Sequence, residues 1–230
     1  SKVGMEIEII SAEDEATLAF KGCASLLKPE PRHALVFDIG GGSTELMRVE
    51  IDATSPSSSP LLPHRVVDWF SLPHGVMNLS EKFGGSAFAE VYYEEMVTYL
   101  AEQLEQYTST LALEDLAHQQ QLQLLSTSGT VTTLAAIYLG LPRYERAKID
   151  GITLSINKLR QAIEAIVSMR ASERFNHPCI GSDRSDYIIS GCAIFEAICR
   201  HWPVKDITIA DRGVREGIIM SLLSPAEKVS

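Results

Sequence analysis

The chain has 230 residues, 45% hydrophobic and 22% charged, enough apolar sequence for one large domain or two small ones with a sizeable core. Its net charge of −10 argues against a general nucleic-acid binder, which carries a basic face, yet a local arginine cluster could still hold a phosphorylated small molecule. No run approaches the ~20 apolar residues that cross a bilayer and no basic-then-apolar leader is present, so a soluble cytoplasmic protein without membrane partners is expected.

The chain opens Ser-Lys-Val-Gly, without an initiator methionine, as expected of a piece of a longer protein. Polar and apolar residues alternate over 5–11, the pattern of a strand. Ser11 fits the N-cap of a helix over 12–24 whose first turn is acidic. Ala34-Leu-Val-Phe-Asp-Ile-Gly40 is an apolar run ending in an acid, as in a buried strand. Three glycines then make a tight turn, and Thr44 to Ile51 alternates as a second strand. Asp52 to Pro63, rich in Ser and Pro, is a loop, and Val66 to Leu72 is a third strand. Residues 34–72 therefore predict an antiparallel meander.

Ser86 to about Leu113 reads as helix and Leu122 to Ser126 as strand, and Ser128-Gly-Thr130 opens a helix reaching Leu139. Residues 142–155 are irregular, with a short extended piece at Ile152-Thr-Leu154. Helices near 155–169 and 184–201 flank a turn-rich segment with Asn176, Pro178 and Gly181. Cys192 and Cys199, seven apart, share a helix face as reduced core cysteines. Ile207-Thr-Ile-Ala-Asp211 is the last strand, and Gly213 leads into the last helix. The order predicts an α/β mixed sheet with an antiparallel three-strand meander, helices on both faces and a helical insertion over about 142–202. It is also the order of an actin-like, ribonuclease-H-like lobe.

Chemistry concentrates in Asp38-Ile-Gly-Gly-Gly-Ser-Thr-Glu45. Gly40, Gly41 and Gly42 leave backbone N–H groups open to an anion, and Ser43 and Thr44 add hydroxyls. Asp38 and Glu45 flank the turn where they can bind a divalent cation such as Mg2+, which takes one or two carboxylates plus substrate phosphates. The bland alternative is a glycine-rich hairpin with capping hydroxyls. Ser128, Gly129 and Thr130 repeat the logic at a strand-to-helix junction, where the residues suit either phosphate or a simple helix cap. Asp211-Arg-Gly-Val-Arg215 offers a strand-end acid with two bases near a cleft, or a surface ion pair. Glu15, by position alone, complements a helix dipole. Arg184 and Asp186 look like a helix start, and His74 like a turn residue.

Taken in order, these segments resemble the exopolyphosphatase/guanosine pentaphosphate phosphatase family. The resemblance rests on Ile10-Ser-Ala-Glu-Asp-Glu-Ala16, Asp38 to Glu45, Leu72-Pro-His-Gly-Val-Met-Asn-Leu79 with Glu81, Ser128-Gly-Thr130, Asp183-Arg-Ser-Asp186 and Asp211-Arg-Gly-Val-Arg-Glu-Gly217. It implies that Glu15 is the catalytic base, that Asp38 and Glu45 position Mg2+, and that Gly40 to Thr44 bind the phosphate chain. The implied reaction is hydrolysis of the terminal phosphoanhydride of inorganic polyphosphate or guanosine pentaphosphate, releasing orthophosphate. The implied organisation makes 1–28 a crossover from a missing amino-terminal lobe and 29–230 the second lobe, so the chain supplies half a site. A homodimer of the full-length protein is a further expectation. Ala12 stands where the family usually has glycine, and Asn78 where it usually has arginine. Two other readings are a non-catalytic module binding guanosine alarmones and a lobe of an actin-like ATP-dependent kinase.

Overall fold

The structure, a computed structural model, describes residues 10–52, 62–86 and 89–223. The strand expected over 5–11 and most of the Ser/Pro loop lie outside the described residues. Ala34 to Phe37 are apolar at every position because β1, His33–Ile39, is buried on both faces. β2 (Thr44–Ile51) and β3 (His64–Leu72) follow it antiparallel, giving the expected meander. β4 (Leu122–Ser126) runs parallel to β1, and β6 (Asp206–Ile209) parallel to β4. The short extended piece expected at 152–154 is β5, Thr153–Ser155, which pairs antiparallel with β6 and completes a six-stranded sheet ordered β3-β2-β1-β4-β6-β5.

Helices cover both faces. α1, Ala12–Cys23, is capped by Ser11, whose side chain accepts from Asp14 N while the Asp14 carboxylate reaches back to Ser11. Its Ala16, Phe20 and Cys23 pack on Ala34, Val36, Met47 and Val49. The opposite face, with Leu35, Phe37 and Leu46, is covered by α3 (Tyr93–Leu111), α5 (Gly129–Tyr138), α7 (Ile156–Ser168) and α10 (Ile188–His201). Cys23, Cys179, Cys192 and Cys199 are all free and buried, as core cysteines should be. The last helix, α11 (Val214–Leu223), lies against α1 so closely that a carbon added at Gly217 would stand 1.8 Å from the Leu18 carbonyl oxygen.

The sequence reading differs from the structure in four places. Residues 76–82, to which the sequence pattern assigns no element, form a helix, α2 (Val76–Lys82), directly after the turn at His74. The helix expected from Ser86 begins at Tyr93, because residues 89–92 form turns and Glu90 is drawn to the buried Arg174 by an ion pair of 2.5 Å. The turn-rich segment before 184 contains α8, Ala171–Asn176. The helix expected over 184–201 is divided into α9 (Ser182–Ser185) and α10. Two short helices, α4 (Glu114–His118) and α6 (Arg146–Ile149), complete the set.

Candidate active site

Three junctions meet beyond the carboxyl ends of β1, β4 and β6, the place where open α/β sheets bind ligands. The pleat of β1 decides which face its last acid takes. Ala34 and Val36 point to the α1 side, and Asp38 follows them by the two-residue period. The β1–β2 register sets Glu45 directly opposite Asp38, and the β2–β3 register sets Ser71 opposite Glu45. Like charges facing each other across a ladder are unfavourable, so this pairing has to be supported. Glu45 Oε1 accepts from Ser43 Oγ at 2.7 Å and from Ser71 Oγ at 2.9 Å. Its Oε2 is buried with no hydrogen-bond partner among the described residues.

The first turn of α1 brings Glu15 to the same place. Glu15, Asp38 and Glu45 line one cavity of about 80 Å³ with Gly40, Ser43 and Thr127, over a floor that includes Phe20, Val36 and Met47. Burial pushes the Asp38 carboxyl up to about 6; Glu15 and Glu45 add to the rise, and the Thr127 hydroxyl opposes it. Among the described residues no three His, Cys, Asp or Glu side chains are grouped closely enough to cage a metal.

The glycine turn is held from behind. Val76 N donates to Gly40 O at 2.9 Å and Met77 N to Gly41 O at 2.8 Å, while Asn78 Nδ2 donates to Gly42 O at 2.6 Å. Gly75 must be glycine for this contact, since a carbon added there would lie 2.4 Å from the Gly41 carbonyl carbon. None of Gly40, Gly41 and Gly42 has a left-handed φ. At Gly42 an added carbon would meet nothing within 4 Å, whereas at Gly40 and Gly41 it would come within 3.1 Å of Ser43 O and Met77 Sδ. Among the described residues the N–H groups of Gly41, Gly42 and Ser43 donate to no protein group. The Thr44 hydroxyl is directed inward, donating to His74 O at 2.7 Å.

At the β4–α5 junction Ser128 is buried, accepts from Thr130 N at 3.1 Å as the helix cap, and donates to Ile39 O at 3.4 Å. The Thr130 side chain is packed against Gly191 of α10. Gly129 and Thr130 still line a second groove of about 300 Å³ with Gly40, Gly41 and Arg184. Arg184, which by position alone reads as part of a helix start, donates to Gly129 O at 3.2 Å and Thr133 Oγ1 at 2.9 Å. Its guanidinium is the cation brought to this groove. The third junction resolves toward the ion pair: Arg212 Nε lies 3.0 Å from both Asp150 oxygens, and Nη1 donates to Ser25 at 3.1 Å. Asp211 accepts from Tyr144 Oη at 2.8 Å. These contacts tie the insertion to the turn that follows α1 and to the segment between β6 and α11. Ser71 carries no sequence signal of its own; only strand register reveals it.

A mixed sheet with a glycine hairpin at the end of its central strand, and a flanking helix that brings a carboxylate to that hairpin, places the chain among the actin-like α/β folds. A model of the Ppx/GppA phosphatase family matches residues 1–226, and the chain belongs to that family. Exopolyphosphatase 2 of Mycobacterium tuberculosis is 26% identical over 224 residues, covering 95% of this chain and 65% of the relative. The chain therefore spans about two thirds of that protein's length, slightly less than the full fraction. A solved Ppx/GppA enzyme of Aquifex aeolicus is 25% identical with a TM-score of 0.73, covering 96% of this chain and 67% of its own. An exopolyphosphatase structure from Cytophaga hutchinsonii, 20% identical with a TM-score of 0.68 over 96% of this chain and 66% of its own, shares the fold. No helix among the described residues is long and apolar enough to cross a membrane.

One consequence is measurable without substrate. Because the folded state raises the Asp38 pKa from 3.8 to about 6, the stability contributed by its neutral form is complete below about pH 4. That contribution is lost as pH rises through about 6. Above that, wild type carries a buried charge that Asp38→Asn lacks. In metal-free buffer at pH 7.5, Asp38→Asn is expected to be more stable by up to about 3 kcal/mol, with the gain disappearing near pH 4. Denaturant titrations across this range check it; a gain that is the same at every pH would remove charge burial as the cause.

Proposed function

We propose that this chain carries the carboxylate-lined half of a site that hydrolyses terminal phosphoanhydride bonds of inorganic polyphosphate or guanosine pentaphosphate, releasing orthophosphate. The observation that carries the reading is the convergence of Glu15, Asp38 and Glu45 on one cavity beside a glycine turn with unpartnered N–H groups. The turn binds phosphate oxygens, and Glu15 accepts a proton from the attacking water and orients it in line. Asp38 and the orphaned Oε2 of Glu45 fit Mg2+ bound by two carboxylates, with water and phosphate completing its shell. When bound, the ion neutralises charge on the phosphate oxygens, the main demand of phosphoryl transfer. Arg184 adds a fixed positive charge on the far side of the turn. Family membership and the names of the relatives support the reaction class. A module that only binds has no need of a base on α1.

The relatives' greater length supports a second lobe that closes the site from the opposite side. The test is orthophosphate release, with Mg2+, by the protein carrying both lobes, offered long-chain polyphosphate and guanosine pentaphosphate side by side. Faster release from one assigns the substrate. Release from neither would defeat the hydrolase reading.

A further inference from the structure

We infer that Asn78 is a positioning residue: its side-chain amide fixes the orientation of the Gly42–Ser43 peptide so that the turn presents its N–H groups outward. This rests on the phosphate reading above and gives that turn its specific support. In a trans peptide the carbonyl and the following N–H point in opposite directions. Fastening the carbonyls of Gly40, Gly41 and Gly42 on the α2 side therefore turns the N–H groups of Gly41, Gly42 and Ser43 the other way. These are the N–H groups without protein partners among the described residues.

The three fastenings are unequal. Gly40 O and Gly41 O are held by backbone N–H groups of Val76 and Met77, which any residue but proline supplies. Gly42 O is held by Asn78 Nδ2, so the last peptide of the turn depends on one side chain. Asn78 is suited to this because both of its amide donors and one acceptor site of its Oδ1 are engaged. Oδ1 accepts from Gly75 N at 2.8 Å, and Nδ2 also donates to Pro73 O at 3.2 Å. The residue is half-buried, and its amide bonds the backbone of residues 42, 73 and 75. The same side chain thus locks the start of α2 and the glycine turn together.

A helix cap and a turn clamp make different demands. A cap needs only the Oδ1 acceptor for Gly75 N, which aspartate also supplies, and an acid in the first turn of a helix is favourable. The clamp needs the Nδ2 donor, which aspartate lacks. Asn78→Asp and Asn78→Ala should therefore be compared in the full chain, by thermal melting, backbone NMR order parameters at Gly42 and Ser43, and titration with inorganic tripolyphosphate in Mg2+. For the clamp, order parameters fall from a rigid value near ~0.85 to below ~0.6 in both variants, and tripolyphosphate binds about tenfold more weakly or worse. Asn78→Asp, which keeps the acceptor for Gly75 N, melts no lower than Asn78→Ala. An Asn78→Asp chain that keeps wild-type order and affinity would overturn the proposal and leave Asn78 as a cap. A wild-type chain that bound no tripolyphosphate would overturn the phosphate reading instead, and the order parameters would still decide whether Asn78 holds the turn.

Discussion

Glu15→Gln, in the protein carrying both lobes, is expected to lower Mg2+-dependent phosphate release by about 10²–10⁴-fold while the fold and substrate binding persist. Glutamine keeps the shape of the side chain and removes its basicity. Glu15 is exposed at the first turn of α1, so the structural cost is a weakened interaction with the helix dipole, about 0.3–1 kcal/mol. Loss of a negative charge near Asp38 offsets part of that. The same loss gives a second readout, since Glu15 helps to raise the Asp38 pKa. In the variant Asp38 should titrate at lower pH than in wild type, visible by carboxyl NMR in metal-free buffer. A variant that turns over at the wild-type rate would leave Glu15 as a dipole partner only. One that loses activity together with its melting transition would show a structural role.

The parts of this site that are legible in the sequence are those made by neighbours along the chain. Asp38 to Glu45 reads as a phosphate turn because the glycines, hydroxyls and acids are contiguous, and β1, β2 and β4 read correctly because period-two patterns and continuous apolar runs are strong signals. Glu15 becomes a site residue only through family resemblance, since an acid in a first helical turn is ordinary. What stays hidden depends on pairing between distant segments. Ser71 reaches Glu45 through strand register, and Arg184 reaches Gly129 through the packing of the insertion on α5. α2 is hidden for another reason. Pro73 and Gly75 signal a turn, and seven residues give too little periodicity to show that a helix follows at once. Asn78, set against the family's arginine, suggests a lost contact with a polyanion. In the structure it acts on the backbone.

The largest effect on stability is expected from Gly217→Ala. In an isolated helix this change would help, because alanine is preferred to glycine by about 1 kcal/mol in a helix interior. Here the added carbon would meet the Leu18 carbonyl oxygen at 1.8 Å, and the obstacle is backbone, which cannot rotate away. α1 and α11 must separate, at a cost of about 3 kcal/mol or more, so the clash outweighs the propensity. For a chain of this size the midpoint of thermal unfolding should fall by about 6–12 °C. Gly22→Ala should act in the same direction, since its added carbon would lie 2.3 Å from Gly213 O. Gly213→Ala is the control, with nothing within 4 Å of the new atom. Because α1 carries Glu15 to the carboxylate cavity, moving α1 displaces the base of the proposed reaction. A shift near 1 Å can cost about 10²-fold in rate, so folded Gly217→Ala protein assayed well below its midpoint should still be slow. Full activity in the folded variant would mean that the α1–α11 crossing sustains the fold without setting the position of Glu15.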